Sequence, residues 1–161
     1  MNAPAWRKRS LIPLVWLLLT PLQACQGTPQ PQTRIHSDPV DFTAVTFPPG
    51  EPRAGEPEYI ISAEVQPALQ NDVRLMGLLP GDYELSVVGH TDNKECEVDA
   101  CIQLGLRRAD VVTRWFLSHG VPPERLGKPV SYGSSRPIDD NASVPGRARN
   151  RRAYVSIGGG P

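Results

Sequence analysis

The chain has 161 residues, room for one ordinary domain with an attached segment and too few for two. Seventeen Lys and Arg balance seventeen Asp and Glu, so the basic excess of a general nucleic-acid binder is missing and nucleic acid is not an expected partner. Eighteen prolines and fourteen glycines argue against a helical bundle or coiled coil, and three cysteines are too few for a dense disulfide scaffold.

Arg7, Lys8 and Arg9 precede an apolar run, LIPLVWLLLTPL, at 11–22. A spanning helix needs about twenty apolar residues, and this run is shorter and interrupted by Pro13 and Pro21. A basic stretch followed by a short apolar one is the pattern of a secretory leader, which stays outside the fold. Its removal leaves seventeen acids against fourteen bases. Leu22-Gln23-Ala24-Cys25 resembles a bacterial lipobox, a small residue ahead of a cysteine that is acylated and becomes the new N-terminus. The resemblance makes 1–24 a lipoprotein signal peptide and Cys25 the lipidation site; the plainer alternative is an ordinary signal-peptidase site with Cys25 incidental. Acyl chains rather than a spanning helix then hold the protein. The resemblance to lipoproteins also implies an address: with Gln26 after the cysteine, rather than Asp, the outer membrane is expected, the domain facing the periplasm.

Residues 25–39 lack apolar periodicity and are rich in Pro and Gln, the composition of an extended tether. At about 3.1 Å per residue it reaches on the order of 40 Å. The folded part begins at residue 40. Val40 to Phe47 and Tyr59 to Ser62 are candidate strands, separated by the turn chemistry of PPGEPRAGEP. Pro67 to Leu79 reads as a helix with Pro at its first position and a Pro-Gly stop. Tyr83 to Gly89 is an apolar, β-rich strand expected to be buried.

Val98 to His119 is the most informative segment. Advancing 100° per residue gathers Cys101, Leu104, Gly105, Val112, Trp115 and Phe116 on one face, with Gln103, Arg107, Asp110, Arg114 and Ser118 opposite. Arg108 falls inside the apolar arc. A buried guanidinium needs an anionic partner or acceptors, supplied either by an interior carboxylate as a structural pair or by a ligand. Gly120 ends this helix, Val130 to Gly133 is a short strand, 146–152 is a basic turn or short helix, and Ala153 to Ile157 alternates as a last strand. Interleaved helices and strands give an α/β (α+β) class, one mixed sheet covered by helices. The last residues, 158–161, are read as a tail.

Gly89-His90-Thr91-Asp92-Asn93 follows the buried strand at its C-terminal end, where open α/β sheets place ligands. Asp92, Arg108 and the Asn150-Arg151-Arg152 run could together grip a zwitterion, Asp for an ammonium and Arg for a carboxylate. GHTDN at 89–93, LGLRRA at 104–109, YGSSRPI at 132–138 and GRARNRR at 146–152 resemble, in that order, the OmpA-like peptidoglycan-binding domain. The resemblance covers residues 40–157 and implies a βαβαβ-type sandwich that binds the diaminopimelate of the peptidoglycan stem non-covalently. Carried over by position, Asp92 takes the amino group and Arg108 a carboxylate, with Arg151 assisting and Asn150 shaping the pocket. Cys101 stands where the family usually has Asn.

Cys96 and Cys101 lie five residues apart across the loop-to-helix junction. In an oxidising compartment a disulfide there braces the loop that carries Asp92; two free thiols are the alternative. A metal set of His90, Cys96 and Cys101 lacks a fourth ligand and the usual spacing, and His90 is expected to be a hydrogen-bonded structural residue. Neither paired carboxylates nor a Ser/His/Asp order supports an enzyme, and no cofactor is expected. The expected function is an outer-membrane lipoprotein that tethers the envelope to the cell wall. The alternative is a regulatory or secretion-machine lipoprotein whose domain binds a periplasmic protein partner.

Overall fold

The computed structural model describes residues 41–56 and 59–158. The leader, Cys25, the tether and residues 159–161 lie outside them. Chain order is β1 (Val45–Thr46), α1 (Gln66–Leu78), β2 (Leu85–His90), α2 (Val98–Ser118), β3 (Val130–Gly133), α3 (Val144–Asn150) and β4 (Arg152–Ile157), with one 3₁₀ turn at Pro123–Arg125. The four strands form one mixed sheet in the order β1-β4-β2-β3. β2 runs parallel to β3 and antiparallel to β4, which runs antiparallel to β1. The α/β class and the mixed, helix-covered sheet are as the sequence implies.

Period-two alternation decides which side of the sheet meets the helices. Leu85 and Val87 of β2 and Ala153, Val155 and Ile157 of β4 share one core with Leu69 and Met76 of α1 and Ala109, Val111, Val112 and Phe116 of α2. Two glycines let α2 lie close against β2. A Cβ on Gly89 would stand 1.9 Å from the Gly105 carbonyl oxygen, and one on Gly105 would stand 2.1 Å from Ser131 Oγ. At Gly89 the obstruction is backbone, so only Gly fits there.

Two expected strands differ. Of 40–47, the described part is strand only at Val45–Thr46: the Thr43 amide bonds the buried Asp72 carboxylate instead of a neighbouring strand, and Pro48 and Pro49 end the pairing. Tyr59 to Ser62 is no strand. The Ile61 carbonyl accepts from Gln66 Nε2, and the Tyr59 ring sits 5.4 Å from that of Phe47. α3 starts earlier than the basic run suggests, because Ser143 caps it through the Gly146 amide and Pro145 occupies its first turn.

Candidate ligand-binding site

The parallel pairing of β2 with β3 shifts register between Gly89 and His90, an irregularity of the kind that re-aims a strand end. Beyond it, the Thr91 amide bonds the Gly133 carbonyl and the chain turns so that Asp92 Oδ1 accepts from the amides of Lys94 and Glu95. Asp92 Oδ2 accepts from Arg151 Nη1 at 2.8 Å, and Arg151 Nε donates to the Phe47 carbonyl. Arg151 is the first residue beyond α3, so the end of that short helix and the start of β4 position this cation.

Arg108 projects from α2 into the same region. Nε donates to the Glu51 carbonyl, Nη1 to the His90 carbonyl and Nη2 to the Pro48 carbonyl. The remaining two contacts form a fork on Glu95, Nη1 to Oε1 at 2.7 Å and Nη2 to Oε2 at 2.8 Å. The Glu95 carboxylate also accepts from the Asp92 amide at 3.0 Å and the Gly50 amide at 2.8 Å. A β-turn makes this last contact: Glu51 N bonds the Pro48 carbonyl, Pro49 precedes Gly50, and Gly50 has φ 74°, a type II signature. Side-chain exposure is 0% for Arg108, 2% for Glu95, 3% for Asp92 and 10% for Arg151.

The structure thus brings Asp92, Arg108 and Arg151 into one network, with Asp92 paired to Arg151 and Arg108 paired to Glu95. Glu95 is not among the residues the motifs single out. Its signal is positional: it precedes Cys96, and Cys96 is bridged to Cys101 in the first turn of α2, with Cα atoms 5.2 Å apart. The bridge also removes both cysteines as metal ligands. Asn150 sits aside from these pairs. Its Oδ1 accepts from the amides of Ile138 and Asp139, and its Nδ2 donates to the Asp139 carbonyl and Asn141 Oδ1. It therefore organises the loop ahead of α3.

His90 corrects an expectation. It is buried, but neither ring nitrogen has a hydrogen-bond partner. The ring stacks instead on Tyr154, 5.7 Å between centroids and 3° between planes, with Tyr132 also at 5.7 Å. Burial, then the charges of Arg152 and Arg136, lower its pKa from 6.5 to about 3. An apolar sandwich beside two guanidiniums favours the uncharged ring.

The model of the OmpA family matches residues 58–151, more than half of the chain. The chain belongs to the OmpA family. Outer membrane porin F of Pseudomonas fluorescens is 40% identical over 97 residues, 58% of this chain and 29% of the relative. The peptidoglycan-associated lipoprotein of Agrobacterium fabrum (strain C58 / ATCC 33970) is 32% identical over 99 residues, 62% of this chain and 54% of the relative. The chain therefore spans about half or less of these relatives' own lengths. The crystal structure of the peptidoglycan-associated lipoprotein from Burkholderia pseudomallei superposes with a TM-score of 0.58 at 24% identity, covering 71% of this chain and 88% of that one. That likeness is one of fold.

Proposed function

We propose that this protein binds peptidoglycan non-covalently through the diaminopimelate of the peptide stem. We further propose that Cys25 anchors it by acyl chains to the outer membrane, facing the periplasm, so that envelope and wall are tethered. The observation that carries the binding proposal is the convergence of two guanidiniums and two carboxylates at the C-terminal end of β2 in an OmpA-family domain. The zwitterionic centre of diaminopimelate carries one ammonium and one carboxylate. Asp92 is the acceptor for the first. Arg108 is the planar fork for the second, a geometry that a lysine could not reproduce. Arg151 holds the Asp92 carboxylate in place through Oδ2, and Asn150 holds the loop bordering the site. The Agrobacterium fabrum relative is by name associated with peptidoglycan, which supports the same ligand class.

The test is co-sedimentation with purified sacculi. Asp92→Asn keeps an acceptor oxygen but loses the charge, and the pair Glu95→Ala/Arg108→Ala removes both buried charges together. Both variants are expected to stay folded and to lose wall binding. Folded variants that sediment with wild-type affinity would place the site elsewhere.

A further inference from the structure

We propose that Glu95 is a built-in occupant of the carboxylate subsite at Arg108, one that an incoming ligand carboxylate must displace; this deepens the wall-binding reading and rests on it. Every N–H of the Arg108 guanidinium is engaged: three reach the carbonyls of Glu51, His90 and Pro48, and two grip Glu95. The only acceptor among these that is not backbone is the Glu95 carboxylate. Together with the amides of Gly50 and Asp92, the guanidinium forms a four-donor cradle closed on a carboxylate. Nothing in that geometry depends on which molecule carries the carboxylate. A ligand acid could receive the same two guanidinium bonds and two amide bonds.

The occupant is also placed where it can leave. Glu95 lies in the segment between β2 and α2, outside any helix or strand, and its neighbours Asn93, Lys94 and Glu97 are exposed. Glu95 is not itself a member of the apolar core, so withdrawing its side chain removes no core residue. The backbone of Glu95 is held locally: its own amide bonds Asp92 Oδ1, and the next residue is bridged to Cys101 on α2. The disulfide fixes the loop to the same helix that carries Arg108, seven residues further on. Ligand affinity is then reduced by the fraction of time the cradle is filled.

Two measurements on the full chain test this. In Glu95→Ala the cradle is empty, so sodium acetate should raise its melting temperature, or restore its fold if the variant is unstable, where sodium chloride at equal concentration does not. Wild type and Glu95→Ala/Arg108→Ala should show no acetate-specific shift. Calorimetric titration with meso-diaminopimelate should show Glu95→Ala binding about tenfold or more tightly than wild type. The variant Cys96→Ser/Cys101→Ser keeps both charges but unpins the loop, and a severalfold gain is expected there. Absence of an acetate effect on Glu95→Ala, or diaminopimelate that binds wild type and binds Glu95→Ala no more tightly, overturns the proposal. If acetate acts on Glu95→Ala but diaminopimelate binds neither that variant nor wild type, the occupied cradle stands and the wall ligand is what fails.

Discussion

Removing Arg108 alone leaves the Glu95 carboxylate buried with only two backbone amides for company. Breaking such a pair costs about 3 to 5 kcal/mol, so Arg108→Ala should melt far below wild type. Glu95→Ala/Arg108→Ala should recover much of that loss, because no charge is left unpaired. Urea unfolding of the single and double variants checks this, and strict additivity of the two single changes would contradict it. His90 sets a separate, pH-dependent term. Its folded pKa is depressed to about 3 from 6.5, so below 6.5 the unfolded chain takes up a proton that the folded one refuses. Stability should therefore fall as pH drops from about 6.5 towards 3, by about 1.4 kcal/mol per unit for this group. His90→Phe keeps the ring stack and removes the proton. Its loss of stability between pH 7 and pH 5 should be smaller than wild type by about 2 kcal/mol, and identical pH profiles would show that His90 does not set it.

At the scale of elements, the crossing of α2 over β2 is set by Gly89 and Gly105. A methyl on Gly89 meets backbone, the Gly105 carbonyl oxygen at 1.9 Å, and backbone at a packed crossing cannot step aside. Gly89→Ala should destabilise by about 3 kcal/mol or more, at the upper end of what overpacking costs. Gly105→Ala first meets the Ser131 hydroxyl, a small side chain, so Gly105→Ala/Ser131→Ala should recover part of its loss. Thermal melts of the three variants decide it. The Cys96–Cys101 bridge closes a short loop at the head of α2, and the chain-entropy estimate for a loop of this size is about 2 kcal/mol. Reduction should lower the melting temperature by a few degrees while leaving the far-ultraviolet helix signal intact, since α2 has its own packed face. Unfolding on reduction would mean that the bridge supports the core and not just the loop.

For the whole molecule, the proposed anchor Cys25 lies outside the described residues, which carry an apolar core of their own. Cys25→Ser should release the protein from the membrane fraction while its melting curve stays that of wild type, and retention of the variant in membranes would sink the lipoprotein reading. The residues that made the fold legible are those whose physics is local. Pro67 and the Pro-Gly pair at 80–81 frame α1, the apolar arc of 98–119 dictates the buried face of α2, and the alternation in 153–157 marks β4. Those signals depend on spacing, so the amino-acid sequence alone places α1, α2 and the central strands, buries Arg108 and requires an anion or other acceptors beside it. It could not decide which anion. Asp92 and Glu95 stand three residues apart in one loop, and only the register shift at the end of β2, the Pro49-Gly50 turn and the disulfide aim Glu95 at Arg108 and Asp92 at Arg151. Nor could it decide that Tyr59 to Ser62 would stay unpaired, because strand formation needs a free neighbouring edge, and the edges are assigned only when β1, β4, β2 and β3 assemble. Side-chain pairing between segments more than fifty residues apart, Arg151 with Asp92 and Arg108 with the carbonyls of 48 and 51, is a property of the closed chain, since it exists only once the sheet has brought those segments to one end.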